Sequence, residues 1–208
     1  MNRYAALMTL AASMTLVAFS SPVPQPGYIE GGAVHPSVAE PTVVNDFQMP
    51  SAFTMSMWLR GGQDGFVAGH PGRVWIGVEG DEIAFHVGGD YAIAGIFRDD
   101  YRIALPIDIE EWTFVAASFD AEGRMTLAAS TTGSPMRMTR GYADMAVMEQ
   151  LDMMEELVGG VRCSQNLYVG GTVAECAPDA ESFGGQVNEM TVIPRVVPPS
   201  ELVAAAGC

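Results

Sequence analysis

Lysine is absent from the sequence of 208 residues, so the positive charge rests on 10 arginines. Because 25 residues are acidic, the net charge at pH 7 is -15. Nucleic-acid binding needs clustered cations that neutralise neighbouring phosphates, and the arginines here are scattered, which excludes the common nucleic-acid-binding classes. The same negative field disfavours anionic membranes and acidic polysaccharides, unless bound cations such as calcium change the charge locally.

Histidine is also scarce, since the sequence has only His35, His70 and His86. These residues occur singly, without the HxH or HExxH spacing that brings two imidazoles to one zinc ion. The sequence also lacks a phosphate-binding loop, a dinucleotide fingerprint and a nucleophile elbow. The sequence therefore lacks the commonest catalytic and cofactor-binding motifs, and we predict no catalytic residue.

No stretch has the ~20 consecutive apolar residues that a transmembrane helix needs. The nearest is an uncharged, largely apolar run from Ala5 to Phe19, which follows Arg3 and leads into a small-x-small site ending at Ser20. This order is typical of a secretory signal peptide, so residues 1–20 are predicted to be cleaved. We therefore expect a secreted or periplasmic protein that does not insert into the membrane after cleavage.

Cysteine is limited to Cys163, Cys176 and Cys208. In an oxidising compartment an odd set leaves one thiol free or bonded to another chain. A disulfide between Cys163 and Cys176 would tie down the loops around an intervening strand and stabilise the fold by about 3 kcal/mol in the entropic model. Pairing of Cys176 with Cys208 is the alternative, and the sequence does not choose between them.

The stretch Trp112 to Ala129 has the pattern of a β-hairpin. From Trp112 to Phe119 the side chains alternate between two faces that are both largely apolar, which predicts an internal strand covered on both sides. Asp120 and Gly123 supply the turn that follows. The stretch therefore predicts a hairpin at the centre of a sandwich.

Other short apolar runs are separated by glycine, proline or acidic pairs, and no helical segment intervenes that could connect parallel strands. This spacing predicts an all-β sandwich or barrel. The predicted strands are Ser37–Phe47, Phe53–Arg60, Gly65–Gly69, Val74–Val78, Ile83–Val87, Tyr91–Phe97, Tyr101–Leu105, Asn166–Val169 and Gln186–Ile193.

Two helices are predicted beside the strands. One runs from Asp144 to about Leu157 in a methionine-rich segment, residues 143–160, with an apolar face that predicts packing on the sandwich. A lid or a partner site is the alternative use of those methionines. The other is a short terminal helix from Pro198 through Ala206.

Four segments together resemble the laminin G-like jellyroll domains of the concanavalin A-like lectin and glucanase superfamily. Their order and spacing extend over residues 33–207, and Asn188 departs from the family pattern, which has Asp at this position. The segments are Phe53–Arg60 (FTMSMWLR), Glu111–Asp120 (EWTFVAASFD), Leu167–Gly171 (LYVGG) and Phe183–Arg195 (FGGQVNEMTVIPR).

The resemblance implies two curved antiparallel sheets packed face to face, with rim loops that contact glycans, calcium or proteins. We therefore expect a jellyroll domain over residues 33–208, preceded by a proline-rich segment, residues 21–32. The domain would carry the short helical insertion and the short C-terminal helix. Trp58 and Trp112 lie in the family's core motifs and are expected to be buried, whereas Trp75 is expected to reach the concave face.

Candidate ligand-binding and metal-binding residues lie in the predicted strands and rim loops. Trp75, His86 and Tyr91 are the candidates for contacts with a glycan. Calcium is the favoured metal because it takes carboxylate and amide oxygens from loops. The calcium candidates are Asp64, Asp81, Asn188 and Glu189, with Glu82, Asp99 and Asp100 as further oxygen donors; exposed acids without a metal are the alternative.

The run Ile107–Glu111, IDIEE, resembles the paired-carboxylate strand of sandwich glycosidases, Glu-x-Asp-x-x-Glu. Pro106 stands where the first carboxylate belongs, so the run is predicted to be a solvated loop. The favoured function is a secreted, non-catalytic binding or adhesive module whose partner is a glycan or a cell-surface protein. The alternatives are a polysaccharide hydrolase or lyase on the same fold, and a structural envelope protein that engages a partner through its methionine-rich segment.

Overall fold

The computed structural model describes residues 42–71, 73–88, 101–144, 166–171 and 181–207. These residues form eleven strands and one helix. The elements are β1 Thr42–Val44, β2 Phe53–Arg60, β3 Gly65–His70, β4 Val74–Glu79, β5 Glu82–Val87, β6 Tyr101–Pro106, β7 Thr113–Phe119, β8 Arg124–Thr131, β9 Arg137–Tyr142, β10 Leu167–Val169, β11 Gln186–Ile193 and α1 Pro199–Ala205.

The strands form two antiparallel sheets. The front sheet has six strands in the order β1-β10-β3-β4-β5-β6, and the back sheet has five in the order β11-β2-β7-β8-β9. This arrangement confirms the all-β, two-sheet jellyroll sandwich with a short C-terminal helix. The predicted helical insertion, the Tyr91–Phe97 strand, the signal peptide and all three cysteines lie outside the described residues.

The main core lies between the two sheets, where alternate residues of each strand point inward. Phe53, Met55 and Leu59 of β2 are at most 1% exposed and pack in this core. Val115 and Ala117 of β7 pack beside them. The alternation in the sequence therefore identified the inward faces of both strands.

The turn between β7 and β8 depends on the carboxylate of Asp120. Its Oδ1 accepts hydrogen bonds from the backbone N–H groups of Glu122 and Arg124, each at 3.0 Å. Gly123 has φ 87°, a left-handed conformation that glycine adopts without a Cβ penalty. Burial would raise the pKa of Asp120, but the Arg124 guanidinium and the two N–H groups outweigh it and hold the pKa below its usual 3.8.

A second apolar cluster covers part of the outer face of the back sheet. Leu202 of α1 is 3% exposed and packs with Phe114 and Ala128. Trp58 joins this cluster, with its ring centroid 5.5 Å from that of Phe114. Both outward and inward faces of β7 are thus buried, as its sequence predicts.

The expectation that Trp58 and Trp112 are buried in the core is wrong. Trp58 is half-buried and packs under α1 on the outer face of the back sheet. Trp112 is also half-buried and lies directly before β7, outside both apolar clusters. The motif side chains that lie between the two sheets are aliphatic residues and phenylalanine. They occupy positions that alternate along the chain with those of the two tryptophans.

Within the described part of the chain, no helix is long and apolar enough to cross a membrane.

Candidate binding site

The outer face of the front sheet presents a cross-strand row of polar and aromatic side chains. Val74 and Ile76 of β4 pack in the core, so the alternating residues Trp75 and Glu79 point outward. In the register of the sheet, Trp75 pairs with His86 of β5, and His86 pairs with Arg102 of β6. These three side chains are therefore neighbours on the outer face of the front sheet.

The indole of Trp75 lies between two other rings. The imidazole of His86 stacks on it with a centroid distance of 3.8 Å and an interplanar angle of 3°. Phe66 stacks at 5.7 Å and 17°. Because Phe66 and His86 come from strands on opposite sides of β4, both faces of the indole are covered. Trp75 lies on the outer face of the front sheet, where it offers a ligand a ring edge.

Gly77 makes room for this ring row. It is the next outward-facing residue after Trp75 on β4, and a Cβ at this position would overlap the six-membered ring of the indole. The absence of a side chain lets the indole lie along the strand towards Phe66. The ring row therefore depends on a glycine that the strand pattern alone does not single out.

A charged network continues from the ring row. His86 Nε2 lies 2.8 Å from Glu79 Oε1. Arg102 donates from Nε to Glu79 and from Nη2 to Glu82, each at 2.8 Å. The hydrogen bond that Arg102 donates to Glu82, with a smaller contribution from Glu79, raises the pKa of Arg102 above its ordinary value against the opposing effect of burial. The network fixes His86 and the two carboxylates in place beside Trp75.

We call the concavity beside this network the front groove. It has a volume of about 440 Å³ and lies between the start of β3 and the turn after β4. Its polar lining consists of the carboxylates of Asp64, Glu79 and Glu181, and its apolar lining includes Phe66 and Trp75. Asp64 and Glu181 are exposed, so they are available as hydrogen-bond acceptors.

The structure does not bring the calcium candidates together. Asp64 lies at the front groove, and Asp81 is exposed in the turn between β4 and β5. Asn188 and Glu189 lie at a bulge of β11 in the back sheet, where Glu189 has φ 51°. No group of three histidine, cysteine, aspartate or glutamate side chains in the described residues is arranged to hold a metal.

The other predicted site residues lie in different parts of the chain. His86 is 4% exposed and supports Trp75 from one side, so it is a buried neighbour of the groove. Tyr91, Asp99 and Asp100 lie outside the described residues, as does the proposed Cys163–Cys176 disulfide. The IDIEE run forms a loop between β6 and β7 in which Asp108, Glu110 and Glu111 are exposed, as predicted.

Sequence reasoning missed Glu79, Arg102 and Glu181. Glu79 could have been found, because the tight turn at Gly80–Asp81 places it opposite Glu82 on the same face. Arg102 requires the register between β5 and β6, which the connecting residues do not reveal. Glu181 is positioned at the groove by a backbone contact with β3, since its carbonyl accepts a hydrogen bond from the N–H of Phe66 at 2.7 Å.

No family model matches the sequence, and no curated protein matches it. Among solved structures, the chain is similar to the binding domain of botulinum neurotoxin DC in complex with rat synaptotagmin II, with a TM-score of 0.52 and 11% identity over 86% of this chain and 45% of that one. It is also similar to the botulinum neurotoxin serotype D binding domain, with a TM-score of 0.50 and 8% identity over 79% of this chain and 40% of that one.

The chain spans less than half the length of these two solved structures. At such low identity the likeness shows the fold alone, a β-sandwich that these proteins share with this chain. It fits the predicted jellyroll and does not single out the laminin G-like family.

Proposed function

We propose that the protein is a non-catalytic, extracytoplasmic binding module that takes an uncharged glycan in the front groove. The observation that carries the proposal is the combination of the exposed carboxylates of Asp64 and Glu181 with the aromatic edge of Trp75 in one groove. Sugar hydroxyls donate hydrogen bonds to carboxylates, and the C–H faces of sugars pack against apolar rings. The acidic lining disfavours a glycan that carries negative charge.

The fold is compatible with this role. The solved structures that share it are binding domains, one of them in complex with rat synaptotagmin II, which supports a binding module in general. The low identity leaves the partner of this chain open, so a cell-surface protein is the alternative ligand. The laminin G-like motifs support the same class of function, because members of that family act through rim loops, and Asp64 and Gly80 lie on such loops.

Calcium enters the proposal only as a bridge between the glycan and the groove. Calcium takes six to eight oxygen ligands, some of which a bound sugar can supply. Asp64 and Glu181 would provide the protein oxygens at the groove. Binding measured with calcium and again with a chelator decides whether the metal contributes.

The test is a neutral-glycan array probed with the wild-type protein and two matched variants. Asp64→Asn removes a carboxylate that lines the groove, whereas Asp81→Asn makes the same change on an exposed residue outside its lining. We expect binding to fall about tenfold or more for Asp64→Asn, since a charged hydrogen bond contributes about 1.5–3 kcal/mol. Asp81→Asn should bind like the wild type. Absence of binding to every glycan, with calcium and with chelator, would contradict the proposal.

A further inference from the structure

A second concavity, which we call the back groove, crosses the outer face of the back sheet next to the segment that leads into α1. It has a volume of about 610 Å³. Its lining includes Ser118, Asp120, Thr126, Met138, Arg140 and Pro198. This size lies in the range of small-molecule sites.

The cations of this region differ in what they contact. Arg124 donates from Nε to Asp120 at 2.6 Å and lies 3.0 Å from Glu122, so its charge is compensated. Arg195, beside the groove, lies 2.6 Å from Glu201. Arg140 is exposed and its guanidinium makes no ion pair or hydrogen bond with any residue that the structure describes. Arg140 therefore brings an uncompensated positive charge to the groove of an acidic protein.

The floor of the back groove offers hydroxyl groups next to Arg140. Ser118, Thr126 and Arg140 are consecutive cross-strand partners on β7, β8 and β9. The Ser118 hydroxyl contacts that of Thr54 at 3.0 Å. The half-buried Thr126 hydroxyl has no hydrogen-bond partner among the described residues. A cation and a hydroxyl thus stand side by side, with the apolar side chains of Met138 and Pro198 at the margin.

We propose that the back groove binds a carboxylate-bearing saccharide, with Arg140 on the carboxylate and Thr126 on a ring hydroxyl. A guanidinium binds a carboxylate through two parallel hydrogen bonds. An acidic peptide fits less well, because a strand added to the edge strand β9 would lie in the plane of the back sheet and outside the groove on its face, while β7 and β8 are internal strands whose backbone groups are already paired. This site is separate from the front groove and does not depend on it.

The net charge of -15 does not exclude this ligand. At physiological salt, charges separated by more than about 8 Å are largely screened. Affinity is then set by the groups in contact with the ligand, and the carboxylate in the groove lining, Asp120, is paired with Arg124. The net charge disfavours acidic polysaccharides in general, but it does not decide binding at the back groove.

The test is calorimetric titration of the protein with trigalacturonic acid at 0.15 M salt, compared with its uncharged methyl ester. Arg140→Gln should weaken binding about tenfold or more, the loss expected for a charge-assisted pair, and Arg140→Lys should restore part of it. Arg60→Gln is the matched control, since Arg60 is exposed and lies outside the lining of the back groove. It should change binding by less than about twofold.

Three results would overturn the proposal. Equal losses in Arg140→Gln and Arg60→Gln would show a general charge effect, and no binding of trigalacturonic acid would remove the site. Equal binding of a triglutamate peptide would assign the groove to acidic peptides. Asp64→Asn should leave this binding unchanged, so failure of the front-groove proposal remains distinguishable from failure of this one.

Discussion

The front groove and the back groove lie on opposite outer faces of one sandwich. They differ in the charge of their lining and in the residues that hold their walls in place. The front groove has three carboxylates, and its aromatic wall is held by the stack of Phe66, Trp75 and His86. The back groove has the uncompensated Arg140, and the C-terminal segment that carries α1 forms one of its walls. The core between the sheets fixes both faces, but each groove depends on its own outer layer.

The comparison shows that net charge is a poor guide to a local site. Composition predicts an acidic surface, and the front groove conforms to it. Paired side chains remove part of that charge at both grooves, since Arg102 pairs with Glu79 at the front groove and Arg124 pairs with Asp120 at the back groove. A ligand interacts with the few charged side chains that have no partner. The sign of their charge differs between the two grooves.

The largest effect is expected where α1 covers the back sheet. Leu202→Ala removes a side chain that is 3% exposed and should lower the free energy of unfolding by about 2–4 kcal/mol. Val203→Ala is the control on the same helix, because Val203 is 36% exposed, and it should cost less than about 0.5 kcal/mol. Urea denaturation measures both. Equal costs would mean that α1 is not held on the sheet by Leu202.

An intermediate effect is expected in the ring row of the front sheet. Gly77→Ala places a Cβ against the indole of Trp75 and should cost about 1–3 kcal/mol, with loss of the near-ultraviolet circular dichroism of the stacked indole. In a Trp75→Ala background the obstructing ring is gone and the Gly65 carbonyl oxygen, 3.2 Å from the added Cβ, is the close contact that remains, so the same change should cost clearly less. A cost that is the same in both backgrounds would show that something other than the indole limits residue 77.

The smallest effect is expected at the edge of the back groove. Asp120→Asn keeps the Oδ1 acceptor for the turn but removes the charge paired with Arg124, and should cost about 0.5–1 kcal/mol at pH 7. Because folding lowers the pKa of Asp120 below 3.8, its contribution is present above that pH and is lost as pH falls through the folded pKa. The difference between wild type and variant should therefore vanish in acid.

Urea unfolding at a series of pH values from 7 to 2 tests this dependence. A difference that stays constant over the whole range would show that the Asp120 charge is not what stabilises the turn.

Much of the fold was predictable from local patterns. The alternation in FTMSMWLR identified the inward face of β2, and Asp120 with Gly123 identified the turn of the central hairpin. These features depend on period and turn chemistry, which neighbouring residues determine.

The sites were less predictable because they depend on contacts between distant residues. The stack on Trp75 needs Phe66, His86 and the space at Gly77, which come together only in the folded sheet. The calcium candidates were chosen by residue type, and the fold places Asp64 directly before β3 of the front sheet and Asn188 in β11 of the back sheet. The burial expected for Trp58 was wrong because its motif position faces outward, under α1.

The most direct test of the account is fluorine NMR of protein labelled with 5-fluorotryptophan, titrated with neutral hexasaccharides of glucose, xylose and galactose. The three tryptophans occupy different places: Trp75 lines the front groove, Trp58 packs under α1, and Trp112 precedes β7. Single Trp→Phe variants assign the resonances. The account predicts that a bound hexasaccharide shifts the Trp75 resonance and leaves the other two in place. A shift of Trp58 or Trp112 with Trp75 unchanged would contradict it.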